Sequence, residues 1–124
     1  MAQPESRLSR AIMNELRTRG VFCFKVHGGP TMMAGLPDIV ACVPASILTF
    51  DDYESDGFQR PSGFGLFVGF ETKTPTGGHP TPIQQRVHER IGWAYGRVFV
   101  VRSVQDAVDA LESMGYPIVP IQRG

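Results

Sequence analysis

Two apolar runs of strand length in this chain each carry charge at one end. Asp38 opens the run Ile39-Val40-Ala41-Cys42-Val43, and Glu71 and Lys73 close the run Leu66-Phe67-Val68-Gly69-Phe70. Short apolar runs bounded by glycine and proline read as buried strands. On a strand, residues two apart face the same side, so Glu71 and Lys73 project together with Thr72 on the opposite face. Two carboxylates and an ammonium at the ends of such strands are costly to bury unless paired or bound to metal. The same three groups are what metal-dependent phosphodiester hydrolysis uses. The acids hold a hard cation through oxygen, the cation polarises phosphate and lowers the pKa of a water, and the lysine positions that water or offsets developing charge. A plainer account stands beside this one. Pro37-Asp38 can be the turn leading into a strand, and Glu71 and Lys73 a solvated pair worth a few tenths of a kcal/mol. An acid-x-lysine alone does not choose between them; the surrounding order of elements does.

Residues 5–19 have the pattern of an amphipathic helix, with Leu8, Ile12 and Leu16 as its buried stripe and Gly20 as its terminating glycine. Glu5 falls on that stripe, three residues before Leu8, whereas Glu15 points at least a quarter-turn away. An acid in the first turn is also favoured by the helix dipole alone. A strand over 21–26 places Cys23 and Lys25 on one face and Phe22 and Phe24 on the other. Residues 27–35 form a glycine-rich loop suited to approach a ligand or a nucleic-acid backbone. A strand over 37–43 follows, stopped by Pro44. Residues 44–65 read as an acidic surface excursion or hairpin between two core strands; within it, 46–50 extend a strand or form a short helix. After the strand 66–73 and a loop, Thr81-Pro82-Ile83-Gln84 announces a helix: threonine as N-cap, proline at N1, glutamine in capping-box position. That helix runs to 94 or 95 with Ile83, Val87, Ile91 and Ala94 inward. A short strand over 98–101, a helix over 104–114 capped by Ser103 with Val104, Ala107, Val108 and Leu111 on its buried face, and a small edge strand over 118–121 complete the chain. A mixed sheet flanked by helices, an α/β fold, is the compact solution for this order.

With 124 residues, 42% apolar and 19% charged, the chain is expected to be one domain over 1–124 with an ordinary globular composition. No apolar run approaches a membrane span, and the first residues lack a signal-peptide core, so a cytoplasmic protein with no membrane partner is expected. Cys23 and Cys42, both within strands, are expected as buried free thiols. Twelve basic and twelve acidic residues cancel, which speaks against indiscriminate nucleic-acid binding. Arginines nevertheless cluster at 7, 10, 17 and 19 and again at 86, 90, 97 and 102, with the acids Asp51, Asp52, Glu54 and Asp56 gathered between. His27, His79 and His88 are scattered, and His88 should face away from the apolar stripe of its helix, so a histidine-metal nuclease is not supported. Trp93 is expected to pack against the fold rather than stack on a base.

A helix carrying Glu5, then Gly-Leu-Pro-Asp38, Phe-Glu71-Thr-Lys73 and Thr-Pro-Ile-Gln84, in that order, resembles the PD-(D/E)XK nuclease superfamily. Within it, the chain resembles the VRR-NUC group, many of whose members are small stand-alone phage or bacterial proteins. The similarity runs from Glu5 to about Ala107, and the segment Val98 to Ala107 also resembles the family's end. The departure is the 44–65 insertion, longer and more acidic than the usual turn between the two motif strands. The resemblance implies a restriction-endonuclease-like fold and an Mg²⁺- or Mn²⁺-dependent DNA endonuclease. Asp38, Glu71 and the Thr72 carbonyl would hold the metal, and Glu5 a second ion or a water beside the first. Lys73 would be the catalytic lysine, Gln84 would support it or the phosphate, and Lys25 would be a phosphate contact. Arg7, Arg10, Arg86 and Arg90 are candidates for further phosphate contacts, which fix register but carry no sequence information. Structure-selective cutting of branched DNA, such as Holliday junctions or flaps, by a two-fold homodimer is implied as well, with roles in DNA repair or recombination. The alternatives are a nickase or restriction-type nuclease on ordinary duplex, and a catalytically inactive DNA-binding module.

Overall fold

In the computed structural model the described residues are 4–45 and 64–114. Seven elements follow in order: α1 (Pro4–Thr18), β1 (Phe22–Lys25), β2 (Ile39–Ala45), β3 (Phe64–Thr72), α2 (Pro82–Trp93), β4 (Arg97–Val101) and α3 (Val104–Ser113). The strands form one mixed sheet in the order β1-β2-β3-β4. β1 and β2 pair antiparallel, as do β2 and β3, while β3 and β4 run parallel with α2 as the crossover. The expected α/β architecture is therefore present.

Alternation along the strands sorts residues onto two faces. Ile39, Ala41, Val43, Val68 and Phe70 are buried and meet Ile12 and Leu16 of α1 and Ala107, Ala110 and Leu111 of α3 in one core. Gly20 ends the α1 region in the left-handed conformation, φ +79°, that a glycine adopts without strain. On β3, Thr72 bonds Ser9 of α1 and Glu71 bonds His88 of α2. Consecutive strand residues point to opposite faces, so α1 and α2 lie on opposite sides of the sheet. The result is three layers, with α1 and α3 on one side and α2 on the other.

Four expectations need correction. β2 does not stop at Pro44 but runs through it to Ala45, with Pro44 opposite Gly65 and Ala45 opposite Phe64. β1 reaches only as far as Cys42, so Pro44 sits where β2 has a single neighbour and its missing N–H leaves no partner unsatisfied. The excursion between the strands therefore begins after 45 and ends before 64. Cys42 is exposed, not buried, because it alternates with Ala41 and Val43 and faces away from the main core; both cysteines are free. The α2 stripe is narrower than its periodicity implied: Val87 is buried, Ile91 half-buried, and Ile83 and Ala94 exposed. Among the described elements α2 stands alone on its side of the sheet, with no second helix to close over its flanks. Trp93 is 76% exposed and does not pack against the fold. The readings for 46–63, with their acidic cluster, and for the edge strand 118–121 lie outside the described residues. No helix among those described is long and apolar enough to cross a membrane.

Candidate active site

The register of β2 and β3 builds the site. Ile39 stands opposite Phe70, so the residue before the one and the residue after the other, Asp38 and Glu71, meet at the same end of the sheet. Gly69 permits this closeness. A Cβ there would lie 2.8 Å from Pro37 Cβ, so only glycine lets the segment leading to Asp38 lie down on β3.

Asp38 is held from one side. Its Oδ2 accepts from the Thr72 N–H at 2.8 Å and from Thr72 Oγ1 at 2.7 Å. Thr72 Oγ1 also bonds Ser9 Oγ at 3.2 Å, and Lys25 Nζ donates to that Ser9 oxygen, again at 3.2 Å. A chain Lys25–Ser9–Thr72–Asp38 thus runs from α1 and β1 into the site. Ser9 and Thr72 are buried at 2% and 1% exposure, and no buried side-chain nitrogen or oxygen among the described residues lacks a partner. Burial works to raise the Asp38 carboxyl, but hydrogen bonds with Glu71 and Thr72 and the Lys25 charge outweigh it, and the group titrates below its ordinary value.

Glu71 is in the opposite state. It is 1% exposed, and burial, its hydrogen bond with Asp38 and the Asp38 charge push its pKa up to about 8. Lys73 pulls the value down and Glu5 pushes it further up, which places both charges within electrostatic reach of the pair. With Asp38 titrating below its ordinary value and Glu71 at about 8, the pair holds one proton near neutral pH. Across the α2 interface, His88 Nε2 lies 3.3 Å from Glu71 Oε1. Burial lowers the His88 pKa, against the Asp38 charge, which favours a neutral ring and makes this contact a hydrogen bond rather than an ion pair.

The remaining expected residues divide. Lys73 continues the β3 ladder, its N–H donating to the Val101 carbonyl at 3.0 Å, and its half-buried side chain belongs with Glu71. Glu5 stands exposed in the first turn of α1 and lies close enough to Glu71 to raise its pKa; Glu15 pairs instead with Arg19 at 3.0 Å. Gln84 is occupied as a cap: its Oε1 accepts from the Thr81 N–H at 2.8 Å while Thr81 Oγ1 accepts from the Gln84 N–H. Lys25 is half-buried and donates to Ser9. Arg7 and Arg10 are exposed on α1 and Arg86 and Arg90 on α2, on opposite sides of the sheet.

Three contributors were not anticipated. Ser9 gave no signal, since its partners are 16 and 63 residues away in sequence. Arg102 donates to the carbonyls of Thr74, Gly77 and Gly78 and ties down the loop that follows Lys73. His88 was legible by another route: four residues after Gln84, it shares that residue's helix face. Beside Asp38, the loop from Val26 borders an open hollow of about 320 Å³ lined by Gly28, Gly29, Met32 and Met33.

The donor set suits a hard divalent cation. Asp38 spends one oxygen on Thr72 and keeps the other, Glu71 lies against it, and a cation would remove their mutual repulsion. Among the described residues no group of three or more histidines, cysteines or acids forms a ready-made metal cluster. Main-chain carbonyl, water and phosphate oxygens would complete the coordination, the habit of Mg²⁺ rather than of structural zinc.

Two solved structures share this architecture. One, described as a VRR_NUC domain, has a TM-score of 0.60 and 23% identity over 90% of this chain and 97% of its own. The other, a VRR_NUC domain protein, has a TM-score of 0.61 and 14% identity over 99% of this chain and 100% of its own. No protein-family model matches the chain. No curated protein sequence matches it either. At these identities the likeness establishes the fold: this is an α/β chain with the architecture of those VRR_NUC domains.

Proposed function

We propose that this protein is a divalent-cation-dependent DNA endonuclease that hydrolyses phosphodiester bonds at the Asp38/Glu71 end of the sheet. The observation that carries the reading is the meeting of the half-buried Asp38 and the buried Glu71, two carboxylates whose charges conflict unless a cation or proton lies between them. The shared architecture with the VRR_NUC domains supports it.

Asp38, Glu71 and the Thr72 carbonyl would hold Mg²⁺ or Mn²⁺, and Glu5 would act on a water or second ion from the α1 side. The bound cation supplies Lewis-acid polarisation of the phosphate and a lowered water pKa. Thr72 fixes the Asp38 carboxylate by two hydrogen bonds, and His88 orients Glu71. Lys73, on the Glu71 face, positions the attacking water and offsets charge developing on the phosphate. Gln84 sets the first turn of α2 beside the site through its cap, so its contribution is positional. Arg7, Arg10, Arg86 and Arg90 supply phosphate contacts. Branched DNA is the substrate class, cut by a homodimer bringing two sites to paired strands.

The test is cleavage of labelled four-way junction, flap and linear duplex DNA with Mg²⁺, Mn²⁺ or chelator, with Asp38→Ala and Lys73→Ala beside the wild type. Metal-dependent cutting of branched substrates, lost in both variants, is the expected result. Equal cutting of all three substrates would keep the nuclease and remove the branch preference. Binding without cutting, unchanged in both variants, would make this a DNA-binding module.

A further inference from the structure

The far end of α2 carries features that the site does not use. Trp93 is 76% exposed and Tyr95 83%, the two most exposed large apolar side chains among the described residues. Tyr95 is the single non-glycine residue described with positive φ, at +69°. An aromatic side chain in that conformation costs about 1 kcal/mol that glycine would avoid. Arg97 braces the turn, its guanidinium donating to the Gly96 carbonyl at 3.1 Å and the Tyr95 carbonyl at 3.4 Å. Two aromatic rings are thus presented to solvent, Trp93 at the last residue of α2 and Tyr95 on the strained, buttressed turn that follows.

The approach to this turn is basic. Arg86, Arg90 and Trp93 follow at i, i+4 and i+7, all exposed, and make one stripe along α2 about 10 Å long. Glu89 is the only acid on the helix. The stripe starts level with His88 along the helix axis but about 160° around it, on the solvent face of α2, whereas His88 faces Glu71. Register gives its distance: Arg97 stands opposite Val68 and Val101 opposite Thr72, so the turn lies about four residues, ~13 Å, from the site along the sheet. That spans a few nucleotides. The carboxyl end of a helix is its negative end and disfavours phosphate, whereas an uncharged base is indifferent to it.

We infer that Trp93 and Tyr95 form a stacking platform for an unpaired base of the DNA strand that passes over Arg86 and Arg90. The inference rests on the nuclease reading and names the substrate feature that reading leaves open: a stretch of unpaired strand within a few nucleotides of the cut. Exposed aromatics flanked by cations are the means by which proteins hold single strands, because every base has a stackable face.

Trp93 is the chain's only tryptophan, so its emission reports on the platform directly. The experiment titrates Asp38→Ala protein, metal-free at low salt, with an oligothymidylate, the same-length oligouridylate and a blunt duplex. Emission should be quenched by the single-stranded DNA and little changed by the duplex. Tyr95→Gly, which relieves the positive φ and so preserves the fold, should bind oligothymidylate roughly tenfold more weakly. Arg90→Gln should weaken it and flatten the salt dependence. No quenching by any strand, or equal quenching by blunt duplex, would overturn the platform. Quenching by oligouridylate alone would overturn its assignment to DNA, and an emission shift with protein concentration alone would make the turn a self-association contact. Cutting by the wild type without quenching would refute the platform and leave the nuclease; quenching without cutting would do the reverse.

Discussion

Glu71 and Thr72 are neighbours on β3, each 1% exposed, yet they face opposite helices and opposite electrostatic conditions. Thr72 looks toward α1, where Ser9 and Lys25 complete a chain of hydrogen bonds that fixes Asp38. Glu71 looks toward α2, pressed against Asp38, and holds a proton to about pH 8 for want of a compensating charge. Burial is equal on the two sides, so burial does not separate them. The separation comes from whether each polar group meets a partner of the right sign. One side of β3 is finished as structure, and the other is complete only with a cation or a proton.

The largest effect that would break this contrast concerns catalysis. On the proposed function, Asp38→Ala removes a ligand of the cation and Lys73→Ala the charge set against the developing phosphate, so each should lower cutting by at least ~10²–10³-fold in a single-turnover assay. Retained cutting in either would move the chemistry elsewhere.

The next effect is on stability. In the unfolded chain Glu71 ionises near 4.5, and in the folded protein near 8. Between those values the folded state holds the extra proton, so the metal-free protein should lose stability as pH rises from about 4.5 to about 8, by on the order of a few kcal/mol. Glu71→Gln should flatten that loss in urea melts at pH 5 and pH 8.5. Added Mg²⁺ should restore the wild type most at the higher pH.

Thr72→Val tests the finished side. It removes the hydroxyl bonds to Asp38 and Ser9 while leaving the backbone N–H bond. A loss of about 1–3 kcal/mol is expected, with much less dependence on pH than the loss traced to Glu71. A strongly pH-dependent loss would mean that the two sides are not distinct. Smallest is Glu15→Gln, which breaks an exposed pair with Arg19 and should change stability by less than ~0.5 kcal/mol and leave cutting intact. Glu5→Gln should impair cutting, and the reverse pattern would overturn the assignment of Glu5 to the site.

Much of the contrast was legible in the chain. The period of two placed Glu71 with Lys73 and against Thr72, and the capping box Thr81–Gln84 set the start of α2 where it is observed. The signals that failed were long-range or two-sided. Ser9 and Lys25 gain their meaning from contacts with partners far apart in sequence, which no local pattern records. His88 was judged only against the apolar stripe of its helix and not against Gln84 one turn earlier. Cys42 and Pro44 were read as though β2 had a neighbour everywhere and a cover on both faces, whereas β1 is only four residues long. Trp93 was expected to pack against the fold, and α2 ends with no described element covering it.

The most direct measurement is calorimetric titration of the wild type and Glu71→Gln with Mg²⁺ and Mn²⁺ at pH 7, in buffers of different ionisation enthalpy. If Asp38 and Glu71 form a cation site that shares a proton when empty, binding to the wild type releases about one proton and binding to Glu71→Gln releases none. Binding with no proton release in the wild type, or no binding at millimolar metal, would contradict the assignment of this carboxylate pair as the metal centre.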